Sequence, residues 1–127
     1  MFSHVMVGTN DTVRAKRFYD ALFGSIGGKP GMQDDKNRLI YRHEGGTFMV
    51  SPPIDGEPAT HANGGTIGFQ MKDAAQADAW HQAGVDAGGT AIEDAPGVRE
   101  SAFGKLHLAY LRDPDGNKIC AMHRLPG

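Results

Sequence analysis

The stretch HVMVGTNDTVRAKRFYDALFG, residues 4–24, decides the fold at the start of the chain. Its first residues are a short β-like run, and a helical pattern follows it. Asn10 or Asp11 can accept hydrogen bonds from the exposed N–H groups of a first helical turn. Gly24 stands where a left-handed residue commonly ends a helix. The stretch predicts a strand and then a helix over about residues 11–23, with three apolar residues forming its inward stripe: Ala15, Phe18 and Leu22.

A second stretch, TIGFQMKDAAQADAWHQAGVDAGG at residues 66–89, repeats this plan 62 positions later. At this offset Thr66 matches His4, Asp73 matches Asp11 and Trp80 matches Phe18. The pattern predicts a second helix over about residues 73–87, which the glycine pair at 88–89 ends. Self-similarity at a fixed offset indicates two equivalent halves.

Short strand candidates follow each helix. Residues 38–43 and 46–51 predict a hairpin, and residues 105–112 and 117–123 predict another around Asp113-Pro114-Asp115-Gly116. Pro in the second place and Gly in the fourth are typical of a type I turn. The order is strand, helix and several strands, twice. It predicts an α+β architecture with an antiparallel or mixed sheet and the helices on one face.

The 127 residues predict a single domain, with one module at about 1–53, a linker rich in Pro, Gly and polar residues at about 54–64, and a second module at about 65–127. The formal net charge is −2 and no basic stripe is visible, so we expect no nucleic-acid partner. No apolar run is long enough for a membrane span, and the opening lacks the features of a signal peptide. A lone Cys120 fits a reducing compartment, and we expect a cytoplasmic protein.

Three stretches together resemble the vicinal oxygen chelate superfamily, which includes glyoxalases, bleomycin-resistance proteins and extradiol dioxygenases. They are residues 4–24, residues 66–89 and the closing YLRDPDGNKICAMHR at 110–124. The resemblance covers essentially the whole chain. It implies two βαβββ modules whose mixed sheets curve into cups around a cavity for a metal or ligand. One fold hosts many functions, so it does not imply a particular chemistry.

Members of this family usually hold a metal with four residues, one on the first and one on the last strand of each module. Carried onto this chain, these positions are His4, Met49, Thr66 and Cys120. Divalent sites of the family use imidazoles and carboxylates, and of these only His4 is retained. We therefore expect no bound metal and no other cofactor.

The same mapping names the candidate site residues. His4 and Cys120 are the candidate catalytic pair, because a nearby imidazole lowers the pKa of a thiol. Met6, Met49, Thr66 and Met122 are expected to line the cavity, and His107 is expected to face it, with Tyr110 in the core. Arg99, in a predicted loop over 96–103, is a candidate clamp for an anionic ligand. For each of these residues a purely structural role stays open.

Two functions follow from the resemblance. The first is a metal-free binding module that holds a small, partly apolar molecule, since bleomycin-resistance proteins act by binding without catalysis. The alternative is a glyoxalase-like lyase or isomerase, either metal-dependent or with His4 as base and Cys120 assisting. Family members commonly pair two chains, so we expect a homodimer.

Overall fold

A computed structural model describes residues 1–126, and its elements follow the predicted repeat. In chain order they are β1 (Val5–Gly8), α1 (Thr12–Gly24), β2 (Met32–Gln33), β3 (Leu39–His43), β4 (Gly46–Ser51), β5 (Ile67–Gln70), α2 (Ala74–Asp86), β6 (Thr90–Ser101), β7 (Gly104–Arg112) and β8 (Lys118–Arg124).

The two helices begin at matching aspartates. The carboxylate of Asp11 accepts a hydrogen bond from the backbone N–H of Arg14, and that of Asp73 accepts one from Gln76. Both ends of α2 lie 62 positions after those of α1, and both ends of β5 lie 62 positions after those of β1. The predicted repeat is therefore confirmed.

No helix within residues 1–126 is long and apolar enough to cross a membrane.

The end of α1 differs from the prediction. Gly24 is the last helical residue, and Ser25 caps the helix in a right-handed conformation with φ −65°. The Ser25 hydroxyl donates a hydrogen bond to the Leu22 carbonyl at 2.6 Å. This bond satisfies one of the free carbonyls of the last turn. The left-handed residue lies at Gly27, with φ 83°. The second helix ends at Asp86, and the glycine predicted to stop it follows as the left-handed residue Gly88, with φ 107°.

Each half folds as βαβββ. The sheet of module one has the order β1-β4-β3-β2 and that of module two has the order β5-β8-β7-β6. In both sheets the first strand pairs in parallel with the last, and the remaining pairs are antiparallel. Helix α1 contacts β3 and β4, and α2 contacts β6, β7 and β8. The predicted α+β fold of two similar modules with mixed sheets is confirmed.

Both predicted hairpins form, and their turns differ from each other. Glu44 and Gly45, at φ 49° and 80°, connect β3 to β4 as a two-residue turn with both residues left-handed. The turn between β7 and β8 is closed by a hydrogen bond from the Gly116 N–H to the Asp113 carbonyl at 2.9 Å. Strands β2 and β6 were not located from the sequence. In β6 the run from Glu93 to Gly97 contains charged residues, Pro and Gly, which are unusual in a strand interior.

The helix-facing sides of the two sheets share one hydrophobic core. Phe69 of β5 lies 5.7 Å from Phe23 of α1 and 5.3 Å from Phe48 of β4, measured between ring centroids, and 6.0 Å from Trp80 of α2. The two helices also contact each other directly. At Gly84 a Cβ atom would lie 2.3 Å from Leu111 Cδ1, so only glycine allows this close approach between α2 and β7.

The turn at residues 113–117 also joins the two modules, a role that the sequence reasoning missed. Asp113 accepts a hydrogen bond from the Tyr19 hydroxyl of α1 at 2.6 Å. Asp115 accepts bonds from the Thr9 hydroxyl, the Asn10 backbone and the Arg14 guanidinium at 2.6–2.9 Å. Asn117 donates to the Gly8 carbonyl. We call this group of contacts the inter-module clasp.

Candidate functional site

The predicted site lies on the face of each sheet opposite its helix, which we call the cup face. In β4 the side chains of Phe48 and Val50 are buried in the core, so Met49 between them points to the cup face. Met6 is the register partner of Met49 and is 43% exposed. The exposed His4 precedes β1, and its Nδ1 lies 2.8 Å from the Ser3 hydroxyl oxygen.

Cys120 and Met122 lie on the cup face of β8, because Ile119 and Ala121 are fully buried in the core. Cys120 is itself only 6% exposed. Its register partner in β5 is Gly68, where a Cβ atom would come within 3.3 Å of the sulfur. The absent side chain at Gly68 leaves one flank of the thiol uncovered by a neighbouring side chain.

The electrostatic environment of Cys120 is the opposite of the predicted one. Burial raises the pKa of the thiol from its usual 9.0 to about 11. The charges that act on it are the Lys118 ammonium, which lowers the pKa, and the Glu93 carboxylate, which raises it. His4 is not among these influences. The raised pKa argues against a thiolate stabilised by His4, since desolvation outweighs the favourable charge of Lys118.

The predicted orientation of His107 is also wrong. His107 shares the helix-facing side of β7 with Ala109 and Leu111, and its Nε2 lies 2.8 Å from a carboxylate oxygen of Asp78 in α2. The cup face of β7 instead carries Tyr110, the register partner of Cys120, which had been expected in the core. A histidine on this side cannot reach a ligand in the cup.

Arg99 lies in β6 rather than in a loop. Its guanidinium donates hydrogen bonds to the Gly97 carbonyl at 3.1 Å and to the Asp94 carbonyl at 3.0 Å. Between the register pairs Ile92–Tyr110 and Gly97–Leu108, four residues of β6 lie opposite one residue of β7. Arg99 thus closes a large bulge in the strand, and its role as an anion clamp stays a prediction.

The four family metal positions do not make a metal site. Met49 and Thr66 offer a thioether and a hydroxyl, which are poor ligands for a hard divalent cation. Cys120 binds metals as a thiolate, and its raised pKa opposes that form. Within residues 1–126 no group of three or more His, Cys, Asp or Glu side chains could hold an ion. The residues present therefore do not fit the metal that the fold implies.

A cavity of about 450 Å³ lies beside the free edge of β5, and the sequence reasoning did not locate it. Its walls are mostly apolar and come from both modules, and Glu44 is the only formally charged residue among them. Of the predicted ligand residues it includes only Thr66. The alternating patterns that contain Phe48 and Phe69 predicted two short strands, but they did not indicate a gap between the two sheets. The lining residues are Phe2, Val5, Phe23, Ile26, Tyr41, His43, Glu44, Gly46, Thr47, Phe48 and residues 66–70.

Comparisons with known proteins agree with this architecture. The model of the glyoxalase/bleomycin resistance protein/dioxygenase superfamily matches residues 1–121. The crystal structure of a glyoxalase/bleomycin resistance protein from Albidiferax ferrireducens T118 is 57% identical, covers 98% of this chain and 99% of that chain, and has a TM-score of 0.94.

More distant structures share the fold alone. A family enzyme from Burkholderia phytofirmans PsJN is 18% identical with a TM-score of 0.73, covering 97% of this chain and 98% of that chain. A putative glyoxalase from Bacillus halodurans is 17% identical with the same TM-score, covering 97% and 95%. A search of the curated proteins found no match. The family model and the 57% identical structure each span nearly the whole chain, and the protein therefore belongs to the glyoxalase/bleomycin resistance protein/dioxygenase superfamily.

Proposed function

We propose that the protein binds a small, partly apolar molecule between its two modules without a metal ion. The observation that carries this proposal is the cavity of about 450 Å³ beside β5, whose volume lies in the range of small-molecule sites. Five of its fifteen lining residues are Phe or Tyr, and the backbone edge of β5 offers hydrogen-bonding groups. A ligand with an apolar body and a few polar atoms fits such a lining.

Cup-face residues extend the proposed binding surface. Gly68 lines the cavity and is the register partner of Cys120, so the thiol lies one strand away from the cavity wall. Met6, Met49 and Met122 supply adaptable apolar contacts on the same face. His4 remains the proposed polar contact at the start of β1. Lyase or isomerase chemistry has less support, because the Cys120 thiol stays protonated at neutral pH.

The proposal includes a cytoplasmic location and a homodimer. A free thiol at Cys120 is compatible with a reducing compartment. Pairing of chains is common in the family, and this chain has exposed apolar side chains at its sheet edges, such as Met32 on β2 and Val98 on β6. Sedimentation equilibrium measures the assembly state directly, and a mass of one chain at all concentrations would contradict the dimer.

Dye binding tests the cavity. Nile red, a neutral apolar dye, should bind the wild-type protein saturably and fluoresce. Thr47→Phe places a ring in the cavity from a strand position that favours aromatic residues, so the variant should fold. We expect it to weaken dye binding about tenfold, equivalent to ~1.4 kcal/mol.

Thr90→Phe provides the matched control, because Thr90 is an exposed strand residue at the start of β6. Equal dye binding by both variants would place the dye elsewhere and contradict the proposed site. Elemental analysis of protein purified without chelator should find far less than one metal ion per chain, and EDTA should leave dye binding unchanged. A stoichiometric metal whose removal abolishes binding would overturn the metal-free proposal.

A further inference from the structure

A second, smaller cleft of about 250 Å³ lies where the end of β1 approaches the start of β5, and it differs from the first cavity in charge. Lys118 is the only formally charged residue in its lining. Hydroxyl groups of Thr60 and Thr66 and the apolar side chain of Met6 contribute the other types of contact. The complete lining consists of Met6, Val7, Gly8, residues 60–62, residues 65–67, Asn117 and Lys118.

In this structure the Lys118 ammonium is held away from the cleft. It lies 5.0 Å from the centroid of the Tyr110 ring and forms an ion pair with Glu93. Tyr110 is on β7, whereas the cleft is bounded by β5, and β8 lies between these two strands. The lysine stem therefore lines the cleft while its charged end points across the cup face. The Lys118 side chain is 26% exposed, so its charge is partly shielded from water.

The bulge in β6 places Glu93 where it can make this ion pair. Strand β7 separates β6 from β8, so Glu93 pairs with Lys118 across an intervening strand. Glu93 has φ 60°, a left-handed conformation that is unfavourable for any residue with a side chain. Arg99 holds the bulge through the Asp94 and Gly97 carbonyls. The chain thus maintains an unfavourable backbone conformation at the residue that supplies the carboxylate.

We propose that the cleft is a binding site for small carboxylates with a short apolar tail, and that Glu93 is the internal competitor for its cation. On binding, Lys118 exchanges the Glu93 carboxylate for that of the ligand. The threonine hydroxyls donate hydrogen bonds to the bound carboxylate, and Met6 contacts the apolar tail. The cleft shares Thr66 and Ile67 with the larger cavity beside β5, whereas Lys118, Thr60 and Met6 line the cleft alone.

Propionate is the probe, and propionamide is its uncharged control of the same shape. Titration of full-length protein is followed by the methyl NMR signals of Met6 and Thr60, which line this cleft and not the larger cavity, with the exposed Met32 methyl on β2 as an internal reference. Propionate should shift the first two signals saturably and leave the third unchanged. Propionamide should bind at least about tenfold more weakly, because it cannot form a charge-assisted hydrogen bond.

Variants separate the roles of the two charges. Lys118→Met keeps the apolar stem and should weaken propionate binding roughly tenfold or more. Glu93→Gln removes the competitor and should strengthen binding about threefold, the scale of a partly exposed ion pair. The second Lys–Glu pair on this sheet, Lys105 with Glu100, is exposed and provides matched controls: Lys105→Met and Glu100→Gln should leave the affinity unchanged.

Three results would each overturn the proposal. They are equal affinity of the wild type for propionate and propionamide, unchanged affinity in Lys118→Met, and weaker binding in Glu93→Gln. If Lys118→Met does not fold, the propionate and propionamide comparison on the wild type and the Glu93→Gln titration still decide the question. Nile red binding in the larger cavity is measured separately, so failure of one site leaves the other standing.

Discussion

Alkylation of Cys120 should be slow near neutral pH and should accelerate only in strongly alkaline solution. Burial raises the pKa of this thiol from 9.0 to about 11, and the thiolate is the species that reacts. Two pKa units reduce the thiolate fraction at pH 8 about 100-fold relative to an unperturbed thiol. Limited access to a side chain that is 6% exposed slows the reaction further, but it does not move the midpoint of the pH profile.

The assay is the iodoacetamide rate constant measured from pH 7 to pH 11, with urea-unfolded protein as the reference. The folded protein should show a profile still rising at pH 10, whereas the unfolded chain should show a midpoint near 9.0. Lys118→Met should move the folded profile to higher pH and Glu93→Gln should move it to lower pH, because these charges act on the thiol in opposite directions. His4→Ala should have no effect.

A midpoint below 9.0 in the folded protein, or a rate that falls in His4→Ala, would refute this reasoning and restore the activated thiol predicted from the sequence. The raised pKa also has a consequence for stability. Because the folded pKa exceeds the unfolded one, the contribution of Cys120 is fully present below pH 9. It is lost as the pH rises through about 11. Cys120→Ala should remove this alkaline dependence in urea titrations at pH 8 and pH 10.

Two further predictions concern packing and the inter-module clasp. Gly84→Ala should destabilise the protein by about 1–3 kcal/mol in urea denaturation, because the new methyl group meets Leu111 in a filled core. Gly24→Ala, at a helical position with open space, should instead stabilise it by about 0.5–1 kcal/mol, and equal effects of the two changes would contradict the packing argument. Burial raises the pKa of Asp113 above its usual value, although the Tyr19 hydrogen bond lowers it in part. The stability that this carboxyl contributes is therefore fully present below its usual pKa, and it is lost as the pH rises through the pKa of the folded state. Tyr19→Phe should therefore cost about 1–3 kcal/mol at pH 7 and measurably less at pH 4, and an equal cost at both pH values would show that the loss comes from packing alone.

Local signals in the sequence predicted the helices well. Asp11 and Asp73 are capping residues that act through bonds within one helical turn, so their roles require no knowledge of the rest of the fold. The phases of Met49 and Cys120 were also readable. Their neighbours on both sides are apolar residues that fill the core, and strand alternation then fixes the direction of the middle residue.

The same reasoning failed on β7 because both faces of that strand are apolar. Leu106, Leu108 and Tyr110 alternate with His107, Ala109 and Leu111, and hydropathy favours the first set as the core. In the structure the first set lies on the cup face. A histidine fits the helix-facing side because Asp78 of α2 hydrogen-bonds it, a partner 29 positions away that alternation cannot reveal.

The cavity and the bulge escaped prediction for a different reason. Each arises where strands fail to pair regularly: beside the free edge of β5, and where Glu93 to Pro96 lie opposite a single residue of β7. Sequence patterns describe the regular pairing of a sheet, and they contain little information about a gap between two sheets. Arg99 was placed in a loop because the bulge was not predicted, and its hydrogen-bond partners are carbonyls of that bulge.

The inter-module clasp makes the two halves of the repeat unequal. The turn at residues 113–117 is long enough to present Asp113, Asp115 and Asn117 to the other half. Its counterpart in module one is the two-residue turn Glu44-Gly45, which has no room for such an array. The turn of module two therefore hydrogen-bonds to module one, whereas the short Glu44-Gly45 turn makes no equivalent contact to module two within the described part of the chain. Two copies of module one would have the same strands and helices, but they would lack the hydrogen bonds that residues 113–117 make to the other module. The two otherwise similar halves thus differ at this turn, and the longer turn supplies hydrogen bonds to the other half.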